Sequence, residues 1–590
     1  MVGSGIVRQL LPCLLAASVI SASPQYRTHN DRLTPREHAS LEEWQRRAKS
    51  LREHILASAG LLPAPDKTPL RAQIFDERRH GDYAVFKVYF ESLPGFYVTG
   101  NLYRPSAAGR YPAILSPHGH WAYGRLENTD IASIPGRAIN LARQGFVVFT
   151  YDMIGYNDSR QLAHDFGGRR EKLWGLSLAG LQLWNSIRSV DFLESLPDVD
   201  AGRIGCTGES GGGTQTFLLA AVDERIKAAA PVNMISLHMQ GGCLCENAPG
   251  LRIDTDNVEL AAVIAPRPLL MVSATGDWTS DTLQVEFPAM RRTYALFGEE
   301  RRVEAVQFRA PHNYNHDSRE AVYSWMARWL QNGAADVRVS ERPFTPDRPG
   351  DLLVFEGRPL PAGALTANQL TESWIASARR QIGASSPEGL RPALLHALAL
   401  ERRSPAGAAA SSNRAARAPS AVPGNIVVFA SERQDVQAAL ARAGFVVKPV
   451  RHTPFDAEAA AKIEHFDTYN RTAASQRVAD IVQALDANPG AMLVADGPDG
   501  PPALLVFAVV GVPRAVIDVA QFDNSDAAFL ERLYIPGIRR AGDLQTSLAL
   551  TEGPVVIHNA GDRFTFTRGG PRIAAGELTP EQIASALLNR

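Results

Sequence analysis

Cysteine is scarce in this chain, with Cys13, Cys206, Cys243 and Cys245 the only four in 590 residues. Cys13 lies in an N-terminal segment expected to be removed, and the remaining three are an odd number, so no disulfide framework is expected. Cys243 and Cys245 stand two apart, too close to bridge each other without strain. No Cys/His group shows the linear spacing of a zinc motif. A surplus of one charge is missing too: 61 basic side chains face 62 acidic ones, for a net charge of -1. That balance argues against nucleic acid, an anionic membrane surface or a solvating acidic tail as the business of the chain. A small or neutral molecule is the expected partner. Beyond the N-terminus no apolar run is long enough to span a bilayer, so a soluble mature protein is expected.

The N-terminus itself reads as a targeting segment. Arg8 and Gln9 precede a largely apolar run from Leu10 to Ile20, followed by Ser21, Ala22 and Ser23. Residues 1–23 fit a secretory signal peptide, which implies an exported, periplasmic or secreted protein. The rest exceeds what one core usually organises. Apolar strands alternate with amphipathic helices from about residue 24 to residue 335, the pattern of a mostly parallel sheet covered on both faces. The strands expected there are 83–90, 96–103, 111–115, 146–149, 203–206, 226–232, 268–273 and 303–308, with one long helix over 173–196. A linker is expected over 336–350 and a second domain over 351–590, with a flexible loop of Ala, Ser, Arg and Pro at 404–423.

The second half echoes the first. Ala142-Arg143-Gln144-Gly145-Phe146-Val147-Val148 reappears as Ala441-Arg442-Ala443-Gly444-Phe445-Val446-Val447. The segment Arg203–Ala221 lies without gaps on Ala491–Val509, and Leu269–Asp277 lies on Pro554–Asp562. Three echoes in one order suggest a tandem duplication. The copy has lost the chemistry of the original: Gly208-Glu209-Ser210-Gly211-Gly212 is replaced by Asp496-Gly497-Pro498-Asp499-Gly500, and no histidine follows Asp562.

The intact G-x-S-x-G pentapeptide, between an expected strand and an expected helix, is the setting of a nucleophile elbow with Ser210 at its tip. A serine hydroxyl needs a base to take its proton. In this arrangement the acid and the histidine follow the serine in chain order. Asp277, at the end of the strand Leu269–Ser273, is preferred as the acid over Asp281 and Glu286. His312, on the loop after the strand 303–308, is preferred as the base over His316. The oxyanion hole needs two donors. The Gly211 amide is one, and the other comes from Pro117-His118-Gly119-His120-Trp121, with the His120 amide favoured and Trp121 next. His118 and His120 lack an i+4 partner or a nearby carboxylate, so no metal and no cofactor is assigned.

With these residues in place, the chain resembles the bacterial acetyl xylan esterase-like branch of the α/β-hydrolases, itself similar to dienelactone hydrolases and prolyl oligopeptidases. The resemblance is carried by Ser116-Pro117-His118-Gly119-His120, Tyr151-Asp152-Met153-Ile154-Gly155-Tyr156, Gly208-Glu209-Ser210-Gly211-Gly212, Gly241-Gly242-Cys243-Leu244-Cys245-Glu246-Asn247 and Pro311-His312-Asn313-Tyr314-Asn315. It extends into the second half through Thr468-Tyr469-Asn470-Arg471-Thr472, similar to a degenerate second hydrolase-like domain of that group. It implies an α/β-hydrolase fold and an esterase removing acetyl or similar small acyl groups from plant polysaccharide. A related glucuronoyl esterase would have arginine after the nucleophile, where this chain has Gly211. A prolyl-oligopeptidase-type peptidase and a non-catalytic carbohydrate-binding scaffold are the competing readings. On this resemblance Glu246, Asn247, Arg252, Trp121 and Trp278 could line the substrate cleft.

Overall fold

A computed structural model of the chain describes residues 25–400, 424–566 and 571–588. The expected signal peptide and the expected loop at 404–423 lie outside the described residues. Nine strands form the first sheet: β1 (Gln73–His80), β2 (Tyr83–Leu93), β3 (Phe96–Pro105), β4 (Tyr111–Pro117), β5 (Val147–Tyr151), β6 (Val199–Glu209), β7 (Ile226–Val232), β8 (Leu269–Gly276) and β9 (Val303–Pro311). Their order is β1-β2-β3-β5-β4-β6-β7-β8-β9. The β1-β2, β2-β3 and β3-β5 pairs are antiparallel, and every pair from β5 to β9 is parallel. This is the mostly parallel sheet of the α/β-hydrolase fold. Helices on both faces bury the central strands, so every residue of β5 is buried; a strand covered twice reads as an unbroken apolar run.

Two departures from the sequence reading have local causes. β1 went unforeseen because it is an edge strand whose residues are exposed or half-buried, with no apolar alternation to mark it. The long helix expected over 173–196 is two helices, Arg169–Leu173 and Leu178–Glu194. Gly175 adopts φ 69° between them, and the Ser177 hydroxyl accepts from the Gly180 N–H to start the second. A left-handed residue ends a helix and a serine N-cap begins one.

A second sheet is parallel throughout: β10 (Ile426–Ala430), β11 (Val446–Pro449), β12 (Met492–Ala495), β13 (Ala515–Asp518), β14 (Val555–His558) and β15 (Arg572–Ile573). Its order, β11-β10-β12-β13-β14-β15, repeats the order β5-β4-β6-β7-β8-β9 of the first sheet. The three sequence echoes fall on corresponding strands: β5 with β11, β6 with β12, β8 with β14. Where β6 leads through Ser210 into the helix Gly211–Val222, β12 leads into a 3-10 turn at Gly497–Asp499 and a four-residue helix, Gly500–Ala503.

The start of the second half belongs to the first core. Leu370, Trp374, Ile375 and Ala378 pack into it, and the Leu352 carbonyl accepts from Asn101 and Arg125. The segment Asp467–Tyr469 of the second half braces a loop of the first. The Gly250 N–H donates to the Asp467 carbonyl, the Arg252 N–H to the Thr468 carbonyl, and the Tyr469 hydroxyl to Asn247 Oδ1 at 2.7 Å.

Candidate active site

The elbow is built by two close approaches. A Cβ added to Gly208 would stand 2.4 Å from the Pro117 carbonyl oxygen, and one added to Gly212 would stand 2.6 Å from the same atom. Only glycine lets β6, β4 and the following helix converge this tightly. Between them Ser210 is held at φ 56°, ψ -123°, an unfavourable backbone region for a residue with a side chain, and is only partly buried. Strain of this kind persists where surrounding structure over-determines it. The Ser210 N–H donates to the Val232 carbonyl at the end of β7, and the Asn233 N–H to the Val272 carbonyl of β8. Ser210, Asp277 and His312 therefore all follow the C-terminal ends of neighbouring parallel strands, along one edge of the sheet, where open α/β folds gather their ligands.

His312 Nδ1 lies 2.9 Å from Asp277 Oδ2. The Asp277 carboxylate is buried, its side chain 2% exposed, and its Oδ1 accepts from the Thr279 N–H at 2.7 Å and from the Thr279 hydroxyl. The imidazole packs against Trp278 with ring centroids 4.4 Å apart and stacks on Trp121 at 6.2 Å. Its Nε2 is buried without a hydrogen-bond partner among the described residues. The competitors are engaged elsewhere. Asp281 pairs with Arg32 at the surface, Glu286 accepts from the Leu237 N–H, and His316 is exposed at the first turn of the helix His316–Leu330, beside Asp317 and Glu320.

Glu209, immediately before Ser210, is fully buried and holds the loop after β4 in place. Its Oε1 accepts from the Gly119 N–H at 3.0 Å and from Trp121 Nε1 at 2.6 Å, and its Oε2 pairs with Arg137 at 2.8 Å. Arg137 also donates to the Ser116 hydroxyl and lies over the Tyr314 ring. The Gly119 amide is thus taken, while no described residue accepts from the His120 or Trp121 amide. His118 is fully buried, with Nδ1 2.7 Å from its neighbour's carbonyl oxygen and Nε2 accepting from the Met153 N–H; burial pushes its pKa down to about 3 and keeps it neutral. It is a strut of the loop.

Three expected cleft residues, Glu246, Asn247 and Arg252, are internal instead. Arg252 is fully buried and bonded to Asn257, Asn247 and the Glu246 carbonyl. Glu246 is 3% exposed and accepts from the Thr214 hydroxyl and from the N–H groups of Gly242 and Cys243. A substrate cannot reach side chains so consumed. Trp278 donates its indole N–H to the Asn233 carbonyl and keeps a face against His312.

The sequence reading missed Glu209 and Arg137, although a charged residue inside the elbow pentapeptide was a usable sign. It also missed one side-chain group. His120, His164, Cys243 and Cys245 converge, with their ligand atoms all within 4.8 Å of one another. Linear spacing concealed them, because they come from three segments far apart in the chain.

Residues 73–236, which span β1 to β7 and include the elbow, match the family model described as acetyl xylan esterase (AXE1). The first domain is acetyl xylan esterase-like. The likeness is to a family of carboxylic ester hydrolases, and it covers residues 73–236. A Bacillus subtilis (strain 168) protein named as a hydrolase, YtaP, is 27% identical over 201 residues, which are 32% of this chain and 66% of that relative. Among solved structures, a methylesterase, BT1017, shares 29% identity with a TM-score of 0.48, covering 59% of this chain and 78% of its own. A glucuronoyl esterase from Solibacter usitatus shares 17% identity, TM-score 0.38, covering 52% and 98%. An acetyl xylan esterase from Paenibacillus sp. R4 shares 18%, TM-score 0.34, covering 51% and 98%.

Proposed function

We propose that this esterase domain is a serine hydrolase that works through an acyl-enzyme and removes acetyl or similar small acyl groups from carbohydrate. The observation that carries the reading is the 2.9 Å pair of His312 Nδ1 and Asp277 Oδ2 on the same sheet edge as the strained Ser210. Asp277 fixes the tautomer that leaves Nε2 without a proton, and Nε2 takes the Ser210 proton as Oγ attacks the ester carbonyl. The Gly211 amide and the His120 or Trp121 amide then stabilise the oxyanion. His312 returns the proton to the leaving alcohol and next activates water to release the acid. Such hydrogen bonds often tighten only when substrate is bound. The export read from residues 1–23 belongs to the same proposal, and N-terminal sequencing of the mature protein tests it.

The test is hydrolysis of a chromogenic short-chain acetate by the wild type and Ser210→Ala, followed by acetylated xylan, a uronate methyl ester and a prolyl peptide as competing substrates. Acetate hydrolysis lost in the variant supports the serine mechanism, and release of acetate from xylan supports the acyl preference. Equal measurable rates in both proteins overturn Ser210 as the nucleophile, and no hydrolysis by either leaves the scaffold reading. Preference for the uronate ester overturns the acetyl assignment, and preference for the peptide overturns the esterase one.

A further inference from the structure

Four soft donors meet beside the elbow with no carboxylate among them. His120 Nε2 lies 3.1 Å from Cys245 Sγ, and His164 Nε2 lies 3.2 Å from Cys243 Sγ. A tetrahedral ion with bonds of about 2.0–2.3 Å holds its ligand atoms roughly 3.3–3.8 Å apart, and all four atoms here lie within 4.8 Å of one another. Thiols are weak hydrogen-bond donors, so direct thiol–imidazole contacts give a small return for ordering two cysteines and two histidines together. Two thiolates with two neutral imidazoles around a divalent ion are electrically neutral, which suits a half-buried place.

The surroundings are arranged as a metal site requires. His164 Nδ1 lies 2.6 Å from the Ile154 carbonyl oxygen, a contact that puts the ring proton on Nδ1 and leaves Nε2 free to ligate. Glu246 turns away from the cluster and holds the cysteine turn from behind through the Gly242 and Cys243 amides. We propose that His120, His164, Cys243 and Cys245 form a closed four-ligand zinc site. Two sulfurs and two nitrogens in this arrangement favour zinc over calcium, magnesium or manganese. With all four positions filled by protein the ion orders structure and does not activate water.

Its place gives it a second role. The His120 ring covers Gly211, where an added Cβ would stand 2.5 Å from His120 Cε1. Thr214, on the helix that Gly211 begins, donates to the same Glu246 that braces the cysteines. Zinc would therefore clamp the loop after β4 to the helix after Ser210, fixing the two backbone segments assigned to the oxyanion hole. His120 is in this respect a positioning residue, and this part alone rests on the serine-esterase reading.

Elemental analysis of the full chain, purified without a polyhistidine tag and without chelator, should give one zinc per chain. Stripped protein should take up Co(II) with thiolate charge-transfer and tetrahedral d–d bands. Cys245→Ser and His164→Ala should each weaken zinc by at least about 10–100-fold. The cobalt spectrum uses unaltered protein, so it stands if a variant fails to fold. No stoichiometric metal and no uptake of zinc or cobalt, or a Cys243–Cys245 disulfide in the purified protein, overturns the site. If metal is bound, stripping should lower kcat with KM little changed and zinc should restore it; identical kcat with and without zinc overturns the positioning role alone. These metal measurements read independently of esterase activity, so failure of either proposal is visible without the other.

Discussion

The indole N–H of Trp121 donates to the buried carboxylate of Glu209 at 2.6 Å, tying the loop after β4 to the residue that precedes the nucleophile candidate. The same carboxylate pairs with Arg137, and both side chains are withdrawn from water. Removing one member of such a pair strands the other's charge, at a cost of about 3–5 kcal/mol. Glu209→Gln is therefore expected to lower the denaturation midpoint strongly. Trp121→Phe leaves Arg137 and the Gly119 amide on the carboxylate, so the chain should stay folded while the loop loosens. Misplacing a reacting group by an ångström costs on the order of 100-fold, and Trp121→Phe should lower kcat by about 10- to 100-fold with little change in KM. Steady-state kinetics beside denaturant melts separate the two variants; unaltered kcat in Trp121→Phe would show that the bond does not position the loop.

Asp277 is the buried carboxylate on His312, whereas Asp281 pairs with Arg32 at the surface. Asp277→Asn should lower kcat by about 10⁴-fold while leaving stability nearly intact, since it presents the imidazole in the wrong tautomer. Asp281→Asn and His316→Gln should each stay within about twofold of wild type, because exposed pairs contribute at most about 1 kcal/mol. Chromogenic ester kinetics for the three variants decide the assignment. A collapse of activity in Asp281→Asn with Asp277→Asn intact would reverse it.

What could be read from the sequence divides along a physical line. Strands such as β5, buried on both faces, announce themselves as apolar runs, and Gly208-Glu209-Ser210-Gly211-Gly212 announces a turn that only small residues can make. The three echoes were visible because buried strands keep an apolar pattern, and they fall on strands at corresponding places in the two sheets. Long-range convergence left no such trace. Nothing in the spacing of His120, His164, Cys243 and Cys245 brings them together; the strand order and the loops do. Arg252 and Glu246 were misread for the reverse reason: a charged residue in a loop resembles a ligand-binding group until its partners are known, and theirs are internal.

Tyr469 ties the second half of the chain to the first. Its hydroxyl reaches Asn247 Oδ1, and the backbone at Asp467 and Thr468 accepts from Gly250 and Arg252. Tyr469→Phe should cost about 1 kcal/mol, as loss of one buried hydrogen bond. Its clearer mark should be faster amide exchange in residues 241–252, read by mass spectrometry, with the first sheet unaffected. Uniformly unchanged exchange would mean that the segment Asp467–Tyr469 does not brace that loop.

His452 stands where the copy lost its nucleophile. Its Nε2 lies 2.9 Å from Asp499, which directly follows Pro498, the residue aligned with Ser210, and its Nδ1 faces Asp480 at 3.6 Å, with Arg477 also on Asp499. Asp480 and then Asp499 raise its pKa from 6.5 to about 9. A histidine whose folded pKa exceeds its unfolded one adds stability that is complete below pH 6.5 and disappears as pH climbs through 9. The protein should therefore melt at a higher temperature near pH 6 than near pH 9.5, and His452→Gln should remove part of that difference. The part of the slope that the variant loses reports the imidazole. Thermal melts of wild type and variant at the two pH values decide it: equal pH dependence in both would mean that the charge on His452 does not hold the remodelled elbow together.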